Sequence, residues 1–444
     1  MAILFATFLY WLRLVRRPMH IRLKQRYVGS SAIFIIGFGL VELWGRQRPG
    51  GLSDVYAFGE MSGVLAVYLL SWSLLLATRA RRLEPWFGGL DQMYLWHRRA
   101  ASVGMLLLVP HVLITNGAKP AGDRPGLPGQ ALGVLSAIGL FGLVAISFPG
   151  ISRILRMSYE RWLFLHRLTG LFVLLGLVHG LLVDLIIGSS VTLQVVYLAV
   201  GAMGLGSYVY DELLMRRLAP TAAYTVSSVT HPAADIVEME LAPTGAALTP
   251  IAGQFVFLRI GGDERWREHP FSVAGLDSGG RLRLSVRALG HDTVRMQEGL
   301  VNALPVTVSG PYGMFDFTVG SRRQVWIAGG IGVVPFLNWL RTLKPKDDFS
   351  IDLFYSVPTE ADAAYLPELT SLSSELAFVR VHDVFTRSEG HLTVDRIMGA
   401  LHSPIVDVHV FLCGPPAMVQ NLPRDLRKRG VPRDFIHAEN YNVR

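Results

Sequence analysis

A series of apolar segments in the first half of the chain limits the folds that this sequence can adopt. Six of them follow one another between residues 30 and 215, and charged residues gather in the gaps. Charged residues make up 17% of the chain, against about 25% in typical soluble proteins. We therefore predict an all-α membrane domain over 30–217 rather than a soluble helical bundle. Its predicted spans are 30–45, 58–78, 97–115, 131–150, 162–183 and 191–213.

The distribution of arginine and lysine predicts the orientation of these spans. Basic residues cluster before the first span, between the second and third, between the fourth and fifth, and after the sixth. Because cytoplasmic loops are enriched in these residues, the N-terminus and everything after residue 216 are expected in the cytoplasm. The apolar start of segment 1–29 reaches only about 18 Å as a helix, so we interpret it as interfacial. The net charge of +8 thus reflects membrane topology, and no nucleic-acid partner is expected.

Four histidines lie inside the predicted spans. His97 and His111 are fourteen residues apart in the third span, and His166 and His179 are thirteen apart in the fifth. Ionisable groups in a bilayer are costly and usually functional, although a single histidine can be a hydrogen-bonded core residue. At about 100° and 1.5 Å per residue, His97 and His111 share a helix face about 21 Å apart. Two such helices would hold flat ligands at two heights.

Haem fits this arrangement better than a bare metal ion. Structural zinc takes four protein ligands, whereas each predicted level supplies two, and the single cysteine excludes cysteine-based clusters. Haem supplies four ring nitrogens, so two axial histidines complete its iron. We predict two b haems, one on the cytoplasmic side held by His97 and His166 and an outer one held by His111 and His179. On an ideal helix, the thirteen-residue spacing would point His166 and His179 about 140° apart around the axis. The fifth span is therefore distorted, or its histidines meet the haems from different sides.

Other residues near the histidines have two interpretations. Phe172 faces either the haems or lipid, and the nearby arginines serve as haem-propionate partners or as topology signals. Four glycines would admit either a macrocycle or a neighbouring helix: Gly104, Gly170, Gly176 and Gly180.

The second half of the chain reads as a soluble protein of two parts. Strand-like alternation between residues 222 and 318, broken by turn residues, predicts a small antiparallel barrel. Residues 324–328 then lead through a glycine-rich turn into a helix, a unit that suits a pyrophosphate at a helix N-terminus. Further strands are predicted at 351–357, 378–384 and from 407, with a helix near 365–376. This alternation predicts a doubly wound α/β nucleotide domain.

Taken together, these motifs resemble the ferric reductase/NADPH oxidase superfamily in its compact bacterial form. The resemblance covers about residues 30–444 and implies a multi-domain protein in the bacterial inner membrane. Its six-helix transmembrane di-haem domain would span 30–217. A ferredoxin-reductase-like module would follow, with an FAD-binding β-barrel at 218–320 and an NAD(P)H-binding α/β domain at 321–444.

The resemblance also implies roles for individual residues of the reductase module. The flavin and its ribityl chain would lie along a His-Pro-Phe-Ser motif, and other motifs would hold the FAD pyrophosphate, the nicotinamide nucleotide and the nicotinamide ring. In that order, the matching residues are His269, Pro270, Phe271 and Ser272; Arg287, Gly290 and Thr293; Gly329, Gly330, Gly332 and Pro335; and Cys413, Gly414, Pro415 and Pro416.

The family resemblance also implies roles for a residue near the end of the chain and for two residues of one loop. Tyr441 stands where family members carry an aromatic residue stacked on the flavin, although it could instead pack on the barrel. Thr386 and Arg387 match a position that reads the 2′-phosphate of NADPH, and Arg guanidinium suits a phosphate dianion. Pro358 replaces an arginine common in relatives, so NADH also remains open.

The resemblance implies electron transfer from NAD(P)H through FAD and two haems to an extracytoplasmic acceptor. Dioxygen, giving superoxide, is the favoured acceptor. Ferric chelates or a periplasmic partner protein are alternatives. No calcium-binding loop is evident, so activity without regulatory subunits is expected.

Overall fold

The computed structural model describes residues 26–117, 159–215, 221–261, 268–401 and 404–439, with a few isolated positions between 131 and 157. The chain divides into two compact units, the first ending at Leu218 and the second beginning at Ala219, except that Gly89–Asp91 group with the second. The predicted interfacial helix and Tyr441 lie outside the described residues, as does almost all of the predicted span 131–150.

The first unit is helical throughout the part that is described. Five of its helices are long and apolar enough to cross a membrane, which agrees with five of the six predicted spans. The third span begins earlier than predicted, at Leu90. The elements are α1 (Val28–Gln47), α2 (Asp54–Ala77), α3 (Glu84–Phe87), α4 (Leu90–Gly117), α5 (Tyr159–Arg167), α6 (Thr169–Val183), α7 (Leu185–Ser189) and α8 (Val191–Val209), followed by a π-helical turn, Tyr210–Met215.

Helix α2 packs in the interior of this unit. It begins at Asp54, and the preceding Ser53 caps it by accepting a hydrogen bond from Tyr56 N. An N-cap serine of this kind satisfies a donor that the helix leaves unpaired. Most of α2 is buried, including the polar side chains of Ser71 and Ser73. A helix that is apolar on every face and buried on most of them is expected to contact several neighbours.

The fifth predicted span is interrupted between its two histidines. Helix α5 ends at Arg167 and α6 begins at Thr169. Around Leu168 the backbone makes i→i−3 hydrogen bonds, Leu168 N to Leu165 O and Leu171 N to Leu168 O, both at 3.0 Å. This tighter winding advances each residue by about 120° instead of 100°. The local distortion turns His179 back toward the face of His166, so the phase mismatch of an ideal helix is reduced.

The second unit begins with a closed six-stranded barrel. Alternate residues of its strands point inward, as Ala222, Tyr224 and Val226 do on the first strand, so the barrel interior is a packed core. The strand order is β1-β2-β5-β4-β3-β6. The strands are β1 (Thr221–Ala233), β2 (Ile236–Pro243), β3 (Phe255–Ile260), β4 (His269–Leu276), β5 (Leu282–Arg287) and β6 (Pro305–Tyr312), with helix α9 (His291–Gly299) before β6.

A five-stranded parallel sheet follows, in the order β11-β10-β7-β8-β9. Its central strands are almost continuously apolar, as expected for strands covered on both faces. The elements are β7 (Arg323–Gly329), α10 (Val334–Thr342), β8 (Ser350–Val357), α11 (Leu366–Glu375), β9 (Val379–Phe385), α12 (Thr386–Glu389), α13 (Val394–Ala400), β10 (His409–Cys413), α14 (Pro416–Lys428) and β11 (Ile436–Glu439).

The barrel and the parallel sheet share part of one core. Ala274 of β4 is fully buried in the cluster that contains Phe336 and Trp339 of α10. Asn338 Nδ2 donates to Val273 O at 2.8 Å, and Arg341 donates to Ala274 O. Helix α10 is therefore fixed against the strand that begins with the predicted flavin motif.

Candidate functional site

The four predicted histidines form two pairs in the first unit. The ring centroids of His97 and His166 are 6.1 Å apart, with an interplanar angle of 79°. Those of His111 and His179 are 6.2 Å apart, with an angle of 81°. The structure therefore joins the histidines across α4, α5 and α6 in the combination expected from the sequence, and the two pairs have nearly the same geometry.

The backbone of α2 orients the two histidines of α4. His97 Nδ1 lies 2.8 Å from Ser73 O, and His111 Nδ1 lies 3.1 Å from Gly59 O. A carbonyl oxygen only accepts hydrogen bonds, so in each ring Nδ1 carries the proton. The other nitrogen, Nε2, then keeps the lone pair that a metal ligand needs.

His166 is held in a different way. Its ring stacks on Trp162 with centroids 4.8 Å apart and an angle of 13°. Its Nδ1 is buried without a hydrogen-bond partner among the described residues. Aromatic stacking, rather than a backbone carbonyl, orients this imidazole.

A glycine of α2 makes room for His111. A Cβ built on Gly63 would lie 2.6 Å from His111 Nδ1 and 2.8 Å from its Cε1. Because real Cβ atoms do not approach other atoms so closely, the ring occupies space that any larger residue would fill. No pattern of the sequence alone marked this glycine.

The other glycines near the histidines mostly serve helix packing. A Cβ on Gly170 would meet the ring of Tyr208 at 2.5 Å, and one on Gly180 would meet Tyr197 Oη at 2.3 Å. A Cβ on Gly176 would have only one neighbour, a Val67 methyl group at 4.0 Å. Of the glycines on α6, Gly176 is the one that leaves open space.

Two further residues of the helical unit have defined neighbours. A Cβ on Gly139 would come within 2.3 Å of the Phe172 ring, so Phe172 packs against protein at that position. Arg167 Nε lies 3.2 Å from Glu212 Oε1. An ion pair is therefore one role of Arg167, which is one of the arginines near the predicted haem histidines.

In the second unit, the two glycine-rich loops at the carboxyl ends of β7 and β10 lie against each other. A Cβ on Gly332 would lie 2.4 Å from Cys413 O, and one on Gly329 would lie 2.5 Å from Pro415 Cδ. A Cβ on Gly414 would meet Gly329 Cα at 3.0 Å. The absence of side chains at these glycines allows the two backbones to touch.

The predicted flavin motif lies on β4 and faces the start of α9. His269 Nε2 is 3.3 Å from Asp292 Oδ2, and its ring stacks on Phe271. Gly290 is the N-cap of α9, and Thr293 Oγ1 accepts hydrogen bonds from the backbone N–H groups of Leu289 and Gly290, both at 3.0 Å. Thr293 thus holds the turn that exposes this helix N-terminus.

Arg287 lies between the barrel and the nucleotide loop. Its Nε donates to Asp235 Oδ2 at 2.7 Å. A Cβ on Gly330, whose φ is +55°, would lie 2.9 Å from Arg287 Nη1. The carboxylate fixes the guanidinium, and Gly330 supplies both the left-handed backbone and the space beside it. The sequence did not indicate Asp235 as this partner.

The ends of β8 and β9 converge near the predicted 2′-phosphate position. Arg387 N donates to Pro358 O at 3.0 Å, and Thr386 begins the short helix α12. Pro358 therefore still contributes a backbone contact, although it lacks the basic side chain common in relatives.

A buried carboxylate stands beside Cys413. Cys413 is fully buried, Glu439 is 8% exposed, and Cys413 Sγ lies 4.0 Å from Glu439 Oε2. The register of β10 and β11 pairs these two residues. Strand β11 was not predicted, so the sequence analysis missed Glu439. Its place two residues before Tyr441 was the available signal.

Comparisons with known proteins match both units. Residues 62–177 match the family described as "Ferric reductase like transmembrane component". Residues 326–423 match the "Oxidoreductase NAD-binding domain".

Several characterised proteins resemble the reductase part. The propane 2-monooxygenase reductase component of Rhodococcus jostii is 27% identical over 251 residues, which are 52% of this chain and 66% of that protein. NADH-cytochrome b5 reductase 1 of Mortierella alpina is 30% identical over 138 residues, 29% of this chain and 46% of that protein. This chain thus spans about half to two thirds of the length of these relatives.

One solved structure aligns with nearly the whole chain. The flavohemoglobin from Malassezia yamatoensis, determined with bound FAD and heme, has a TM-score of 0.50 at 16% identity and covers 96% of this chain and 100% of its own. At this identity the similarity concerns the fold alone.

The matched families, the apolar helices and the barrel–sheet module define one architecture. The chain has the arrangement of a ferric reductase/NADPH oxidase-type flavocytochrome, in which a transmembrane component precedes a flavin- and nicotinamide-nucleotide-binding reductase module. The two matched domains are thus a transmembrane component and an oxidoreductase domain on one chain.

Proposed function

We propose that this oxidoreductase carries electrons from cytoplasmic NADPH, by way of FAD and two b haems, to dioxygen outside the bacterial inner membrane, with superoxide as the product. One observation carries the proposal. Two histidine pairs of nearly equal geometry lie inside apolar helices, on the same chain as a nucleotide-binding reductase module. The arginine and lysine distribution supports a cytoplasmic location for that module.

The histidine geometry fits haem. Metal–imidazole bonds of about 2 Å, with roughly 1 Å from each nitrogen to its ring centre, would put two axial ligands about 6 Å apart between centroids. The centroid distances are 6.1 Å for His97 and His166 and 6.2 Å for His111 and His179. The Nδ1 contacts of His97 and His111 leave Nε2 as the ligand atom. No cluster of three or more metal-binding side chains is found in the described part of the chain, so each pair would suit a metal that brings its own equatorial ligands.

The reductase module fits FAD and a nicotinamide dinucleotide. When bound, FAD would accept a hydride and the haems would pass its electrons on singly. The start of α9, held by Thr293, would bind the FAD pyrophosphate together with Arg287. The β7 turn at Gly329–Gly332 would receive the dinucleotide, with Cys413 at the nicotinamide end. His269, Pro270, Phe271 and Ser272 would lie along the flavin, and Tyr441 would cover it.

The nucleotide preference rests on the convergence of β8 and β9. Arg387 would pair with the 2′-phosphate, and its backbone contact with Pro358 O holds the two strand ends together. Because guanidinium–phosphate pairs are strong and directional, NADPH is the expected donor over NADH.

The acceptor would react without binding iron. Two histidines per haem would leave no open coordination position, so His111 and His179 would confine the outer reaction to electron transfer at the haem edge. Dioxygen and a ferric chelate both react in this way, and their products differ.

The test uses the full chain purified in lipid nanodiscs with added haem and FAD. We expect NADPH consumption coupled to superoxide formation, detected by cytochrome c reduction that superoxide dismutase abolishes. His111→Leu should abolish superoxide formation, whereas His391→Leu, which replaces an exposed histidine of the reductase module, should not. Ferric citrate reduction that is insensitive to oxygen, with no superoxide, would contradict the proposed acceptor. So would activity that requires an added periplasmic protein.

A further inference from the structure

Helix α2 repeats the histidine spacing of α4. Gly59 and Ser73 are fourteen residues apart on α2, and His97 and His111 are fourteen residues apart on α4. The contacts pair Gly59 with His111 and Ser73 with His97, so the two helices run antiparallel. One helix therefore presents a backbone carbonyl to each of the two imidazoles.

Small residues on α2 leave the carbonyl oxygens of Gly59 and Ser73 accessible to the imidazoles. In a regular helix each would accept from the N–H four residues on, and those residues are Gly63 and Ala77. Neither has a side chain larger than a methyl group, and Gly63 is in close contact with the His111 ring. The fourteen-residue repeat on α2 therefore includes a small residue, Gly63 or Ala77, beside each carbonyl, which leaves room for the imidazole.

The two positions differ in one group. Ser73 Oγ lies 2.9 Å from His97 Nδ1, in addition to Ser73 O at 2.8 Å. Because the carbonyl fixes the proton on Nδ1, the hydroxyl oxygen can only be a second acceptor of that N–H. Among the described residues, His111 Nδ1 has one acceptor, Gly59 O, at the longer distance of 3.1 Å, and Gly59 has no side chain to add another. The Nδ1–H of His97 therefore has one more acceptor and a shorter backbone contact than that of His111.

Hydrogen bonding to the remote nitrogen tunes a ligated histidine. A stronger acceptor on Nδ1–H makes the imidazole more basic and favours the more oxidised metal. Among the levers that set haem potential, hydrogen bonding around the axial ligands is one that the protein controls directly.

We propose that Ser73 is a positioning residue that lowers the reduction potential of the His97/His166 haem below that of the His111/His179 haem. This inference rests on the proposed bis-histidine haems. With haem held by both pairs, one electron would pass from ferrous iron at His97/His166 to ferric iron at His111/His179, and no bond or proton would be exchanged. The asymmetry makes outward transfer favourable before any acceptor is present.

The test is a spectroelectrochemical titration of the full, haem-loaded chain under anaerobic conditions, without NADPH. Wild type should show two midpoints. Ser73→Ala keeps the carbonyl and removes the hydroxyl, so the lower midpoint should rise toward the upper one while the haem-to-protein ratio stays unchanged. Ser73→Thr, which retains a hydroxyl, should keep the wild-type separation. Ser71→Ala is the matched control, because Ser71 is fully buried on the same helix and its Oγ has no hydrogen-bond partner among the described residues.

The outcomes separate this inference from the proposed function. A wild-type protein without b-type absorbance would refute the haem proposal itself. If both haems are present, the inference is overturned by a single wild-type midpoint, by a Ser73→Ala titration that matches wild type, or by a shift of both midpoints together. A rise of the lower midpoint alone, absent in Ser71→Ala, supports it.

Discussion

Replacing Gly63 with alanine tests how closely α2 and His111 must approach. The new Cβ would start 2.6 Å from His111 Nδ1, 2.8 Å from Cε1 and 3.1 Å from Cγ. Ordinary contact requires about 3.5–4 Å between such atoms, so the ring would have to move by roughly 1 Å. Metal–ligand distances tolerate only about 0.2 Å. The variant should therefore lose the His111/His179 haem, and overpacking of this kind costs about 1–3 kcal/mol of stability.

The assay is the haem-to-protein ratio of the purified chain, measured by the pyridine haemochrome method. Wild type should bind two haems and Gly63→Ala one. Gly39→Ala provides the control, because a Cβ on Gly39 of α1 would meet nothing within 4 Å. That substitution should leave both haems bound. Two haems in Gly63→Ala, with unchanged midpoints, would refute the reasoning from close approach.

Three further predictions concern the reductase module. Arg387→Ala should raise the KM for NADPH much more than the KM for NADH, and steady-state kinetics that show equal effects would remove the 2′-phosphate assignment. Tyr365→Phe removes a hydroxyl 2.6 Å from Ser285 Oγ that links the sheet to the barrel, and thermal unfolding should show a loss of about 1–2 kcal/mol; an unchanged melting temperature would contradict this. Burial lowers the pKa of His409 to about 4, beside His437 at 2.9 Å. As the pH falls, His409 therefore takes up its proton at a higher pH in the unfolded chain than in the folded one. Up to roughly 3 kcal/mol of folding stability should be lost as the pH falls from about 6.5 to 4. Denaturant titrations should show no such slope in His409→Gln, and a slope equal to that of wild type would exclude this histidine as its source.

The sequence identified the elements that a strong local pattern defines. The spans with described residues follow from apolar length, and the barrel and parallel-sheet strands other than β4 and β11 follow from alternation and from continuous apolar runs. The histidine pairs also follow, because ionisable residues in apolar helices are rare enough to stand out. The helix break at Leu168 was anticipated only as one of two ways to reconcile the spacing of His166 and His179.

What the sequence did not reveal depends on how one element lies against another. Gly59 and Ser73 are unremarkable residues of an apolar helix until the antiparallel register of α2 and α4 places their carbonyls against imidazoles. Glu439 becomes part of the site only because β11 pairs with β10 opposite Cys413. Strand β4 was recognised as a motif but not as a strand, since its proline and small residues weaken the alternation. These features arise from packing and strand register, which a single sequence does not encode locally.

The central claim is that paired imidazoles in the membrane unit hold two haems reducible from the reductase module. The most direct measurement is the anaerobic reduced-minus-oxidised spectrum of the purified full chain after NADPH addition, calibrated by haem content, in wild type and His111→Leu. Two NADPH-reducible b haems per chain in wild type, falling to one in the variant, are expected. Absence of b-type absorbance in wild type, or two haems that persist without His111, would contradict the claim.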